Sequence, residues 1–355
     1  MLKTAVATVT QIVRADAALV EARATDATGA ARRVIAYPAL TGAVTVGDSV
    51  LLNVTATALA LGTGGYDFVM ANLSHPEAQT FGEPTGAEHI IKARYTPFQH
   101  AVSAVEMMPE HEGIWERATD LRGTPVVVCE LHSQVAAVCA GIKASRPDAR
   151  VVYVYTDTAA LPLAFSRLVP ELKSAGLLDT TITCGQAFGG DYEAVSFASA
   201  LIAADHICGA DVIVVGQGPG NAGTGTRYGF SGIEQGNQLN TAQMLGGSAI
   251  AVLRVSEGDS RARHEGISHH SLTVMETIVS QSVTIAVPLS ELTHFTDATL
   301  AFEYLFAEAD TEAGLALLSE RGVNVTTMGR TVAQDRAFFA YACAGGAVAA
   351  GRVAR

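Results

Sequence analysis

The stretch TPVVVCELHSQVAAVCAGIKASRPDARVVYVYTD, Thr124–Asp157, decides the fold. Val126, Val127 and Val128 form a short β-branched run that favours extended backbone and ends in the polar pair Glu130 and His132. The alanine-rich segment QVAAVCAGIKAS then reads as a helix, and Val151–Tyr155 as a second buried run, ending at Thr156 and Asp157. Apolar runs without polar alternation, joined through a helix, are the pattern of parallel strands covered on both faces.

The pattern repeats down the chain. LAFSRLVPELKSAG is helical, DTTITCGQAFGG is a third run, and YEAVSFASALIAADHICG is helical again. ADVIVVGQGPGN, SAIAVLRVS and VTIAVPL continue the series, separated by IEQGNQLNTAQMLGG and GISHHSLTVMETIVSQ. A long helical stretch, DATLAFEYLFAEADTEAGLALLSERG, follows, and VNVTTMG reads as a seventh strand. Runs alternating with helices predict a doubly wound, Rossmann-like, mainly parallel α/β domain over residues 125–355, with right-handed crossovers placing helices on both faces.

Upstream, residues 1–73 alternate with period two and carry glycine turns, which predicts a small β-barrel-like domain. Residues 74–124 read as a connector with one or two helices, the first starting at Thr96 with Pro97 in its first turn and Val102 and Val105 on one face. Trp115 reads as a core anchor.

Composition limits the function. The 355 residues are 49% hydrophobic and 16% charged, with a net charge of −12, so the chain is core-rich and repels a polyphosphate backbone. No nucleic-acid partner is expected. The N-terminus lacks a secretory pattern, and no stretch is apolar for long enough to span a membrane. The uncharged C-terminal run FFAYACAGGAVAA suits a close-packed buried segment. Five cysteines without a CxxC pair read as reduced thiols in a cytoplasmic protein. An apolar α/β chain of this kind also suggests a homodimer.

In a doubly wound sheet, ligands sit beyond the carboxyl ends of the strands. Those ends carry Glu130 and His132, then Thr156 and Asp157, then Gln186, then Gln217, and finally the segment RARHEGISHHS. The fourth run leads into VVGQGPGNAGTGTRYGFSG, Val214–Gly232, seven of whose nineteen residues are glycine. It contains G-x-G-x-x-G at Gly218, Gly220 and Gly223. Pro219 inside the match, the late position in the sheet and the absence of a following lysine all argue against a dinucleotide or P-loop fingerprint. The loop then reads either as a turn of purely structural role or as a backbone cradle for an anion. The cradle would be made by Gly216, Gln217, Gly218, Gly220, Asn221, Gly223, Thr224, Gly225 and Thr226, with Arg227 as charged partner.

His132, Asp157, His264 and His269 are the candidate acid–base groups, and with His270 they are candidate ligands for a divalent metal. Adjacent helical positions point apart, so at most one of His269 and His270 is expected to face a given site. Asp157 also suits a helix N-cap. Ser166 lacks the G-x-S-x-G elbow, so a serine-hydrolase triad is not indicated.

Through GQGPGNAGTGTRYGFSG, TDTAALPLAFS, YTPFQ and HEGISHHS, the chain resembles an uncharacterised bacterial family known as a domain of unknown function. The resemblance covers most of the chain. It implies a cytoplasmic bacterial protein with a small β domain joined to an α/β domain, and it implies no activity. The residues themselves suggest a small anionic or phosphorylated metabolite bound at the strand ends by a metal- or histidine-dependent enzyme. A non-catalytic protein that senses a ligand and acts through the β domain is the alternative.

Overall fold

Period-two alternation in the N-terminal segment sends every second side chain inward, and five strands close on themselves. The computed structural model describes residues 1–62, 64–77, 89–289 and 305–353, in two units, Met1–Ala101 and Val102–Arg355. The first unit holds β1 (Thr4–Ala15), β2 (Val20–Asp26), β3 (Ala31–Ala36), β4 (Ser49–Asn53) and β5 (Asp67–Asn72). They form a closed barrel in the order β1-β2-β3-β5-β4, with β4 returning antiparallel to β1. Closure leaves no unpaired strand edge. Its core is made of small side chains, among them Val9, Ala22, Val34, Val50 and Leu52, none more than 2% exposed.

After the barrel come β6 (His89–Lys92) and β7 (His100–Ser103), with a single helical turn at Glu112–Trp115. The helix expected from Thr96 does not form. The Thr96 hydroxyl donates to Ala93 O at 2.7 Å and accepts from Phe98 N at 3.3 Å, closing a turn between residues whose φ is already positive, Ala93 and Tyr95. A side chain that satisfies the local backbone in this way competes with helix formation. Val102 falls in β7 and Val105 in a 3-10 turn. Trp115 does pack on the core, its Nε1 donating to Val105 O at 3.3 Å. The polar residues 78–88 of the connector lie outside the described residues.

The second unit is built on β8 (Pro125–Cys129), α1 (Val135–Ser145), β9 (Val151–Thr156), α2 (Leu168–Ser174), β10 (Thr180–Cys184) and β11 (Tyr192–Ala194). It continues through α3 (Phe197–His206), β12 (Val212–Gln217), α4 (Glu234–Met244) and β13 (Ser248–Val252). A small antiparallel pair, β14 (Val255–Ser256) and β15 (Gly266–Ile267), leads into α5 (His269–Thr273), which runs on as a π-helical turn, Val274–Ile278. Then come β16 (Thr284–Pro288), β17 (Leu305–Ala309), α6 (Glu312–Glu320), the two-residue strands β18 (Thr326–Thr327) and β19 (Arg330–Thr331), and α7 (Arg336–Arg352).

Eight of these strands form one sheet in the order β11-β10-β9-β12-β8-β13-β16-β17, and every pairing in it is parallel. Alternation divides the central strands between two cores. Val127, Cys129, Tyr153, Val214 and Val252 face α1 and α7, whereas Val126, Val128, Val154, Val215 and Ala251 face α3 and α4. Strands buried on both faces need apolar side chains at every position, which is why the valine runs show no polar alternation.

Two expectations fail at the sheet's far edge. Leu305–Ala309 is strand β17, paired with β16, where a helix was expected; the earlier part of that helical stretch lies outside the described residues. The VNVTTMG strand shrinks to the β18–β19 hairpin, turned by the positive φ of Met328 and Gly329, and stays out of the main sheet. At β17 the parallel partner offered by β16 overrides local propensity.

The C-terminal run packs as its glycines suggest. A methyl group on Gly346 of α7 would collide with Val138 O of α1, and one on Gly141 of α1 with Cys343 O of α7. All five cysteines are free and buried. No helix among the described residues is long and apolar enough to cross a membrane. The close contact predicts opposite outcomes at two glycines of one helix. Gly346→Ala should cost about 1–3 kcal/mol through overpacking. Gly351→Ala, with nothing within 4 Å, should gain about 0.5–1 kcal/mol. Urea unfolding of the two variants checks both signs.

Candidate functional site

The parallel strands deliver their carboxyl ends to one rim, and the central end belongs to Glu130, directly after β8. Its side chain is 1% exposed. Such a carboxylate survives burial only with partners. His270 Nδ1 donates to Oε1 at 2.9 Å, Arg254 NH1 lies 3.7 Å from the same oxygen, and the Ser271 hydroxyl donates to Oε2 at 3.4 Å. The Glu130 carbonyl accepts from Gln217 Nε2 at 2.9 Å, which ties β8 to the end of β12.

From Gln217 the glycine loop folds back on itself. Gly223 bridges to Phe230, and Thr224 N donates to Gly229 O at 2.7 Å. Asn221 Oδ1 accepts from the Ser231 hydroxyl at 2.6 Å and from Gly232 N at 3.0 Å, pinning the loop's return. The Thr224 and Thr226 hydroxyls pair at 2.8 Å, and Arg227 donates to Glu276 at 3.1 Å. Asn221, Thr224 and Thr226 thus brace the loop internally, while Arg227 ties it to the π-helical turn Val274–Ile278. Two glycines are fixed by contact: a Cβ on Gly218 would collide with the Tyr155 hydroxyl, and one on Gly232 would lie 2.7 Å from Glu130 Cγ.

The loop's return brings Phe230 flat against His270, with ring centroids 3.8 Å apart and planes 1° apart. Around His270 stand His264, at 5.0 Å between centroids, and His269, at 4.4 Å. One nitrogen from each of the three rings lies within 4.8 Å of the others. The expectation that only one of His269 and His270 faces the site fails. The two residues begin a short helix next to a 3-10 turn, Ala262–His264, so the spacing rule for a regular helix does not apply. Ser268 caps that helix, accepting from His270 N at 3.2 Å and pairing with His264 Nδ1 at 2.8 Å. Burial, reinforced by Arg254 and Arg261, pushes the His264 imidazole down to about 3. Burial and the neighbouring His270 lower His269 as well.

A buried ionic chain holds this corner. Arg254 reaches Asp259 at 3.3 Å, and Asp259 also takes Arg261 at 2.7 Å and Arg330 at 3.5 Å. Hydrogen bonding to Arg261 keeps the Asp259 carboxyl well below the usual carboxylate range. Arg330 continues to the fully buried Asp335 at 2.9 Å, which accepts from Ser256 at 2.7 Å. Neither Arg254 nor Asp259 stands out in the sequence. The one signal for Arg254 is a charged residue placed directly after the apolar run of β13.

The other candidates lie elsewhere on the rim. His132 pairs with the Tyr153 hydroxyl at 3.2 Å and the Ser166 hydroxyl at 2.7 Å, and among the described residues it shares no hydrogen bond or ring contact with the histidine cluster. The Tyr153 hydroxyl donates to the carbonyls of Gly216 and Gln217, so His132 Nδ1 is the donor to Tyr153 and Nε2 accepts from Ser166. This is a serine–histidine pair in form. Ser166, however, is 1% exposed, and its oxygen also accepts from Val169 N at 3.2 Å, so the pair is enclosed by the protein.

Asp157 is exposed and accepts from Gln186 N at 2.8 Å, bracing the loop after β10 instead of capping a helix. It also lines a cavity of about 230 Å³. Thr156 and Thr158 line this cavity beside Asp157, with Cys184 at the end of β10, Gly185 after it, Phe197, and Glu234, Asn237, Gln238 and Thr241 of α4. A narrower crevice runs from there to Glu130, sharing Thr158, Glu234 and Gln238.

Residues 33–346 match the family described as protein of unknown function DUF3866, and the chain belongs to that family. No curated protein and no solved structure matches it.

The neutral histidines set an acid limit on stability. Burial lowers His132 from 6.5 to about 4 and His264 from 6.5 to about 3. Below pH 6.5 the unfolded chain takes up protons that the folded chain refuses, so this stability is complete above 6.5 and is lost as pH falls toward 4 and then 3. Urea unfolding at about pH 7 and about pH 4.5 should show lower stability in acid, with a slope of at most about 1.4 kcal/mol per pH unit for each histidine. His132→Gln should flatten the slope, and an unchanged slope would contradict the assignment.

Proposed function

We propose that this protein binds a small metabolite rich in hydroxyl or amino groups at the carboxyl ends of its parallel strands. The cavity beside β9, β10 and α4 carries the reading. It lies where sheets of this kind take their ligands, and at about 230 Å³ it sits just below the range of about 300–1,000 Å³ common for small-molecule sites. Its lining offers the Asp157 and Glu234 carboxylates, three threonine hydroxyls and the Asn237 and Gln238 amides. No lysine or arginine is among its lining residues.

That chemistry redirects the expectation of an anionic or phosphorylated ligand. Two carboxylates repel a phosphate and accept hydrogen bonds from hydroxyl or ammonium groups. The arginine expected to meet an anion, Arg227, is held by Glu276. The glycine loop contributes by shaping the rim through Glu130 and Gln217. Asp157 and Glu234 are the groups available for acid–base chemistry on a bound hydroxyl or amine.

A thermal-shift panel of neutral sugars and polyols, small amines and sugar phosphates tests the reading, because a ligand that binds the folded chain raises its Tm. A polyol or an amine should stabilise the protein, and Glu234→Gln should weaken that binding about tenfold or more, as expected for a lost hydrogen bond to a charged group. Stabilisation by the sugar phosphates alone would overturn the proposal.

A further inference from the structure

We propose that His264, His269 and His270 together bind a transition-metal dication of the zinc class, with Glu130 as the partner that orients His270. The inference stands on the histidine cluster and does not depend on the cavity beside Asp157. The hydrogen bonds fix which nitrogens are free. His270 donates Nδ1–H to Glu130, which leaves the Nε2 lone pair outward. The Arg263 guanidinium donates to His264 Nε2 at 3.4 Å, so His264 carries its proton on Nδ1, toward Ser268. His269 Nε2 is buried and has no hydrogen-bond partner. A buried polar atom left unpaired costs about 1–3 kcal/mol, and a bound cation would satisfy it.

The spacing is close to what a metal needs. Nitrogens 2.0–2.1 Å from a tetrahedral zinc are about 3.3 Å apart. One ring nitrogen from each histidine already lies within 4.8 Å of the other two, so ring rotations are needed to bring the free nitrogens onto one ion. A carboxylate on the far nitrogen of a ligating histidine is the arrangement that fixes tautomer and ring direction in metal centres. Neutral imidazoles favour zinc, cobalt, nickel or copper over magnesium and calcium. No fourth His, Cys, Asp or Glu among the described residues joins the group, so one position remains for water or a ligand. The Phe230 ring stacked on His270 holds that ligand's plane from one side.

Titration of the chelator-treated, full-length protein with Co(II) and then Zn(II), read by visible absorption and calorimetry, tests the site. One equivalent should bind per chain, and Co(II) should show the intense bands of low-symmetry coordination. His269→Ala should weaken binding at least a hundredfold. This ring is only half-buried, and an unchanged far-UV spectrum and Tm would show that the variant folds. Glu130→Gln should weaken binding about 10- to 100-fold. Arg263→Ala should tighten it, since an exposed cation leaves the His264 lone pair. His75→Ala, at a residue whose side chain is 62% exposed and faces Asp48, should change nothing. Absence of stoichiometric uptake, uptake that survives His269→Ala, or weaker binding in Arg263→Ala would overturn the proposal.

Discussion

A single buried carboxylate organises the rim of this protein. Glu130 stands at the end of the central strand β8, out of reach of water, and an ion in that position costs several kcal/mol unless it is paired. Its partners come from three separate segments: Arg254 after β13, His270 and Ser271 from α5, and, through its backbone, Gln217 from β12. The same interaction that makes its burial tolerable therefore fixes the histidine cluster against the sheet. Arg254 carries the constraint further, into the chain of Asp259, Arg330 and Asp335 at the start of α7.

The sheet was legible because its central strands are buried on both faces. Burial of that kind forces runs such as VVV and VVYVY that little else requires, and it places the strand ends, with Glu130, His132, Asp157 and Gln217, on one rim. The weaker edge was not legible. Leu305–Ala309 is a strand because β16 offers it a parallel partner, which no local pattern announces. His100–Ser103 is extended where Thr96 and Pro97 suggested a helix start, because Thr96 spends its hydroxyl on a turn.

The histidines were visible as residues but not as a constellation. Reading positions 264, 269 and 270 against a regular helix separated them, whereas a 3-10 turn, a two-residue strand and a capped helical turn fold them together. Glu130 was visible at the end of its run, but nothing in the sequence joined it to His270, 140 positions away. In the glycine loop, which the sequence offers as a ligand cradle, Thr224 and Thr226 bond to each other and Arg227 reaches Glu276 outside the loop.

The fit of Gly232 beneath Glu130 has an evolutionary consequence. With a hypothetical Cβ at 232 only 2.7 Å from the Glu130 side chain, the two positions cannot drift independently. A larger residue at 232 requires a shorter acid at 130, and a shorter acid withdraws the acceptor from His270 Nδ1. Positions 130, 232 and 270 should therefore covary as a set, and a lineage that changes one is under pressure to revise the other two. A glycine fixed by its fit against a buried carboxylate thus shares the selective constraint on that carboxylate.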